Sequence, residues 1–213
     1  MKDNPDDREE HQLSERLQNG NPEAVEELFN NYFHQVYSII FHAVGWDRST
    51  AEDVTQETFL SAVRSVGNYK GKSKPYTWLL SIAHHKIADY YRWLGRERHY
   101  KTVSLESFVG TRGEIPDGSE PTHSHLEVAE AKDIVTRALV KLPYRYREVL
   151  VYKYVEEMSV KQISQIMGRS PKSVEALLSR ARNILKSKLD KVNEGEILVE
   201  TTNNKRIAYA GLR

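Results

Sequence analysis

The sequence predicts an all-α protein of two helical modules joined by a flexible acidic linker, the second module a helix-turn-helix. Three observations carry that prediction. Apolar residues recur at intervals of three and four over residues 22–94 and again over 131–189, the period of helices with one buried face. Between these stretches, residues 103–126 lose the period and gather Gly110, Gly113, Pro116, Gly118 and Pro121 among Ser, Thr and acidic residues. Charge changes sign at the same places. Residues 1–60 hold 4 Lys/Arg against 13 Asp/Glu, 61–101 hold 9 against 2, 102–130 hold 1 against 6, and 131–192 hold 14 against 6.

Residues 1–20 read as an N-terminal tail. Asn21 is placed to cap a first helix, with Pro22 at its first position. Val25, Leu28, Phe29, Tyr32, Phe33, Val36, Tyr37, Ile40 and Phe41 form its stripe, and Gly45 ends it. Ser49 and Glu52 fit a capping box for a second helix with Val54, Phe59, Ala62, Val63 and Val66 inward. Residues 67–75 read as a loop, and Pro75 opens a third helix that buries Trp78, Leu79, Ile82, Ala83, Ile87, Tyr91 and Leu94. The first module thus spans 21–101 and the linker 102–130.

The second module spans 131–192. Ile134, Val135, Ala138, Leu139 and Leu142 give an amphipathic helix, and Pro143 starts the next turn. A short helix over 147–154 faces Val149, Leu150 and Tyr154 inward. Ser159 and Gln162 cap a third, Gly168 turns the chain, and Ser170 with Pro171 opens a final helix running to about Leu189. Residues 193–213 read as a frayed tail.

Composition narrows the chemistry. The chain has no cysteine, which excludes a disulfide scaffold and thiolate metal ligands. The first residues, MKDNPDDREEHQ, lack the apolar core of a secretion signal, and no run reaches the ~18 apolar residues of a membrane span. There is no phosphate-binding glycine loop and no nucleophile elbow. His84 and His85 are adjacent, so on a helix they diverge by about 100° and share a metal poorly. His123 and His125, with Glu127, fall in the linker. The reading is no cofactor, no metal and no enzymatic activity.

Two basic surfaces flanked by acidic segments suit nucleic acid. The helix-turn-helix lies in SVKQISQIMGRSPKSVEALLSRAR (159–182), of the winged-helix-like DNA-binding class. Its second helix turns Val174, Leu177, Leu178 and Ala181 inward. Arg169, Lys172, Ser173, Glu175, Ala176, Ser179, Arg180 and Arg182 remain for a major groove: cations for phosphate or guanine, Glu175 for a cytosine amino group, small residues for close approach. The other surface, around NYKGKSKPYTWLLSIAHHKIADYYRWLGRER (68–98), interleaves aromatics with Lys and Arg, which suits unstacked bases. A third cluster, Glu52, Asp53, Gln56 and Glu57, either complements a helix dipole or docks a basic protein surface.

In combination these motifs resemble the extracytoplasmic-function (ECF) sigma factors, the two-domain branch of the main bacterial sigma family, over roughly 22–97 and 131–189. The resemblance implies that AEDVTQETFLSA (51–62) docks on the clamp helices of the largest subunit of core RNA polymerase through Glu52, Asp53, Gln56, Glu57 and Phe59. It implies that Asn68, Tyr69, Lys72, Lys74, Tyr76, His85, Lys86, Arg92 and Arg96 engage and open the −10 promoter element. LPYRYREVL and the helix-turn-helix would bind the −35 element as duplex, near the flap of the second-largest subunit. Promoter DNA and an anti-sigma protein are the further partners implied. The location implied is cytoplasmic, with the nucleoid when polymerase-bound and without membrane insertion. The family has Arg-Asn where this chain has His84-His85, a difference that admits pH-dependent DNA contact. A stand-alone helix-turn-helix regulator and a helical adaptor are the competing readings.

Overall fold

The computed structural model describes the backbone over residues 5–100 and 134–210 and the side chains over 9–95 and 134–190. Linker residues 102–130, including His123 and His125, and the side chain of Arg96 lie outside the described residues. Eight α-helices are described: α1 (Pro5–Gln18), α2 (Pro22–Ala43), α3 (Arg48–Ser65), α4 (Pro75–Tyr100), α5 (134–140), α6 (Tyr144–Leu150), α7 (Val160–Met167) and α8 (Pro171–Ala210). A 3₁₀ turn (Val66–Asn68) follows α3 and a π turn (Val151–Val155) follows α6. There is no strand among the described residues.

Within the expected tail at 1–20, Pro5–Gln18 is a helix. Leu13 and Leu17, four residues apart, are fully buried against the rest of the module, and Ser14 bonds the Tyr69 hydroxyl at 2.9 Å. α2 begins as expected, with Asn21 Oδ1 accepting from the amide of Glu23 at 2.8 Å. α3 does not. Its cap is Asp47, which takes the Thr50 hydroxyl at 2.7 Å and the Thr50 amide at 3.4 Å, so the expected Ser49–Glu52 box is not used. A carboxylate two residues earlier starts the helix there and takes the Thr50 amide instead.

In the second module the π turn changes which residues face inward. The Glu156 amide bonds the Val151 carbonyl, five residues back, and the wider winding turns Tyr152 into the core and leaves Tyr154 exposed, against expectation. Val63 and Val135, expected to be inward, are exposed as well. The predicted capping box of α7 is present in both directions. Gly168 adopts a left-handed conformation (φ 60°), and the Arg169 amide closes the turn on the Ser164 carbonyl. α8 continues to Ala210, past the expected end near Leu189. Residues 190–210 contain one glycine and no proline, so nothing in them stops the helix.

One buried apolar cluster runs through both modules, from Leu13 in α1 to Ala181 in α8. α6, the π turn and α7 pack on α2 and α4.

Candidate functional site

Helices α2 and α3 leave an open groove of about 870 Å³. Phe29, Phe33 and Phe59 form its floor; Phe29 meets Phe33 and Phe59 with ring centroids 4.9 Å apart in each case. Leu60 and Val63 expose about half their surface along it (42% and 53%). Glu52, Asp53 and Gln56 stand at the rim. Glu52 is held by Arg48 at 2.9 Å, while Glu57 points the other way, 3.4 Å from Lys86. Because α3 starts at Arg48, all four predicted residues lie beyond its first turn, where a helix dipole has little effect. Glu52, Asp53 and Gln56 form a polar, mainly acidic rim around an apolar trough, and Glu57 lies outside it. Thr55 Oγ1 is buried without a partner in the same groove wall.

The loop before α4 and the outer side of α4 carry the basic and aromatic set. Asn68, Lys72, His85 and Arg92 are exposed. Lys74 pairs with Glu10 of α1 at 2.5 Å, and Arg92 pairs with Asp89. Two members of the set are not free to stack on a base. Tyr69 is 4% exposed; its hydroxyl meets Ser14 and donates to the Ser73 carbonyl at 2.6 Å, and its ring lies 5.0 Å from Trp78. It is a core residue that fixes the loop. Tyr76 stacks on Tyr32 at 5.0 Å and donates to Glu156 of the second module at 2.9 Å. Burial and the adjacent Glu156 push its hydroxyl far above the usual tyrosine range, so it stays protonated as that donor. Trp93, half exposed beside Tyr90, is an open aromatic surface of the stretch.

The helix-turn-helix presents its second helix openly. Arg169, Lys172, Glu175, Ala176, Ser179, Arg180 and Arg182 are exposed and Ser173 is partly so. Val174, Leu177, Leu178 and Ala181 are buried against Ile163 and Ile166. Ser170 caps the helix through the Ser173 amide at 3.3 Å. Arg182 is partly engaged, donating to the Tyr154 hydroxyl at 3.3 Å.

Between the modules lies a polar seam that the sequence reading did not contain. Arg147 on α6 donates to the Ala43 carbonyl at the end of α2 and to the Tyr91 hydroxyl of α4. Tyr91 stacks on Tyr144 with ring centroids 4.3 Å apart and planes nearly parallel. His84 Nδ1 lies 2.8 Å from Glu148 Oε1, which also accepts from Tyr152 at 3.1 Å. His84 therefore faces the second module rather than solvent, and of the histidine pair only His85 is exposed.

The family models that match the chain cover both modules: Sigma-70 region 2 over residues 28–97 and Sigma-70, region 4 over residues 132–185. The ECF RNA polymerase sigma factor SigM of Bacillus subtilis is 31% identical over 165 residues, covering 77% of this chain and 94% of the relative. The chain belongs to the ECF RNA polymerase sigma factors. The RNA polymerase sigma-H factor of Pseudomonas aeruginosa is 30% identical over 179 residues, 83% of this chain and 92% of its own. The fold matches the sigma factor RpoE of Bartonella quintana, solved with the anti-sigma factor NepR, with a TM-score of 0.60 at 19% identity, covering 78% of this chain and 96% of that one.

As a sigma factor, the chain is a transcription initiation protein. Its region 2 match contains the groove, the basic loop and α4; its region 4 match contains the helix-turn-helix. What sequence reasoning missed has physical causes. α1 was signalled by Pro5 and by the Leu13–Leu17 pair, but it sits in a segment dominated by charge. Arg147 and Glu148 look like ordinary charges of an amphipathic helix, and only contact with the other module buries them.

Proposed function

We propose that this sigma factor binds core RNA polymerase through the α2–α3 groove, engages the −10 element with the loop before α4 and the outer face of α4, and binds the −35 element with α8. The observation that carries the reading is the pairing, within one chain, of an apolar trough rimmed by Glu52, Asp53 and Gln56 with an unobstructed recognition helix. A DNA-binding regulator acting alone has no use for the trough, and an adaptor has none for the recognition helix. Phe29, Leu60 and Val63 supply apolar contact over the buried Phe59, and the carboxylates select a basic helical partner such as a polymerase clamp. On α8, Lys172, Arg180 and Arg182 meet phosphates or guanine edges, and Glu175, Ala176 and Ser179 form the close-approach face. Near the −10 element, Asn68, Lys72, Lys74, His85, Lys86, Arg92 and Arg96 hold the strand while Trp93 offers a stacking face.

The sigma factor carries no reaction of its own in this reading; catalysis belongs to polymerase, and the protein acts where polymerase and the nucleoid are. The linker's 6 acidic residues against 1 basic one suit a segment that mimics nucleic acid near the RNA exit path. An anti-sigma protein that covers the groove and the promoter faces completes the set of partners.

The test is transcription in vitro with purified core polymerase on fragmented genomic DNA, with and without the chain. Discrete new start sites sharing two upstream elements establish the reading. Tight duplex binding without polymerase and no new starts would replace it with a stand-alone regulator.

A further inference from the structure

We propose that α1 sets the selectivity of the loop before α4: it holds residues 69–74 in one shape and keeps one lysine of that loop from phosphate, so that base preference rather than charge governs binding there. The proposal rests on the reading of this loop as a −10 contact. It makes Glu10, Ser14 and Gln18 positioning residues, since they act through the loop. The loop needs outside support. NYKGKSK (68–74) carries three lysines and no acid, and residues 70–73 make no backbone–backbone hydrogen bond among those described. Left to itself, a segment of that composition samples many shapes and meets any phosphate, whatever the bases beside it.

α1 supports it from a fixed seat. Leu13 and Leu17 anchor α1 in the core, Arg16 pairs with Glu27 of α2 at 2.7 Å, and the Asn21 amide returns to the Arg16 carbonyl to close the corner between the two helices. From there α1 meets the loop at three points. Ser14 Oγ bonds the Tyr69 hydroxyl, which donates to the Ser73 carbonyl, so one chain of hydrogen bonds ties both ends of the loop to α1. The Gln18 amide donates to the Ser14 carbonyl at 3.2 Å and lies against Gly71, where φ is 65° and a Cβ would fall 2.5 Å from Gln18 Nε2. Glu10 pairs with Lys74 at 2.5 Å. The Glu10 side chain is only 19% exposed, so drawing Lys74 away to a phosphate leaves a largely buried carboxylate behind, a cost that an ordinary surface pair does not carry. Lys70 and Lys72 remain exposed for the strand. Phosphate contacts position a strand and base contacts specify it, so one fewer of the first and a fixed frame for the second move the balance toward sequence.

The experiment uses holoenzyme reconstituted from core polymerase and the full chain. Two promoter panels derive from one mapped start site, one varying single bases of the −10 element and the other single bases of the −35 element. Fluorescein-labelled oligothymidylate serves as a strand without promoter sequence. Ser14→Ala with Gln18→Ala should cut the preference for the favoured −10 sequence over its single-base variants about tenfold, with −35 preference and oligothymidylate affinity unchanged. Glu10→Gln frees Lys74, so oligothymidylate should bind about fivefold more tightly at low salt, with a salt slope steeper by about 0.7. Glu15→Gln removes the same charge from an exposed position of α1 and should leave the slope alone. Circular dichroism checks that helix content is kept, and Glu10→Gln carries the test by itself if the double variant does not fold. A merely structural α1 would lower both promoter preferences together and would not raise affinity. That joint fall, an unchanged −10 preference in the double variant, or a slope that is unchanged in Glu10→Gln or equally steeper in Glu15→Gln overturns the proposal. No dependence on the −10 bases in the unmodified holoenzyme overturns the underlying reading instead.

Discussion

Arg147 donates from Nε and Nη2 to the carbonyl oxygen of Ala43, at 3.0 and 2.8 Å, although 104 residues separate them. Ala43 is the last residue of α2, where carbonyls lack helical partners and the helix dipole is negative, so a guanidinium fits both needs. Gly45 makes room for it: a Cβ there would lie 3.3 Å from Arg147 Nη1, and its φ of 90° disfavours any other residue. Arg147→Ala should lower unfolding stability by about 2–4 kcal/mol. Arg147→Lys should recover only part, because a point charge cannot serve three acceptors in a fork. Gly45→Ala should destabilise as well, less so on the Arg147→Ala background, where the crowded neighbour is gone. Urea denaturation of the unmodified protein and the four variants, the Gly45→Ala/Arg147→Ala pair included, measures these differences.

The groove should be separable from the fold. Leu60 and Val63 are exposed on α3, so Leu60→Asp and Val63→Asp should leave helix content and thermal midpoint nearly unchanged. Each should weaken core polymerase binding by about tenfold or more, as for an anchor residue in an interface. Fluorescence anisotropy of labelled chain against core polymerase reads the change, and unchanged binding would remove the groove from the interface.

Tyr69 tests where the −10 surface ends. Tyr69→Phe keeps a ring that could stack on a base but deletes the bonds to Ser14 and to the Ser73 carbonyl. Stability should fall by about 1–3 kcal/mol, with single-strand affinity per folded molecule unchanged. A loss of affinity without a loss of stability would return Tyr69 to the DNA face.

Arg180→Ala divides phosphate contact from base contact. If Arg180 meets phosphate, binding should weaken uniformly across −35 variants and the salt slope should drop by about 1. A relaxed preference at one base pair, about 1–3 kcal/mol there, would make it a base contact. Titration against a panel of duplexes at several salt concentrations distinguishes them.

Alkaline pH should unfold the protein early. Burial, and next the negative charge of Glu10, raise the Tyr32 hydroxyl to about 12, and burial raises Tyr69, Tyr76, Tyr91 and Tyr152 as well. Unfolded tyrosines release protons near pH 10, so above that pH the unfolded state holds fewer protons than the folded one. The stability from Tyr32 is thus complete below pH ~10 and lost as pH rises toward ~12. Urea midpoints from pH 8 to 11.5 should fall steadily, and less steeply for Tyr32→Phe.

The helix-turn-helix geometry was legible because its signals are local. The capping box of Ser159 and Gln162, the left-handed turn at Gly168 and the cap at Ser170 need only neighbouring residues, and all are present as read. The exposed set on α8 follows from the same helix period. The α3 cap was misread because Asp47 and Ser49 both carry suitable oxygens, and only the geometry selects Asp47. Tyr69 and Tyr76 were misread because an aromatic beside lysines looks the same whether its ring meets solvent or a helix packed from elsewhere in the chain.

The sequence by itself determined most of the helices, the helix-turn-helix and the family, since each depends on residues within about a turn or on motif order. The tertiary structure decided which charges are buried. His84 lies 64 residues before Glu148, across the linker, Tyr91 lies 56 before Arg147, and nothing local in them marks a partner. Their burial comes from one module packing on the other, and that packing is set by the shapes of two assembled faces rather than by any segment of sequence.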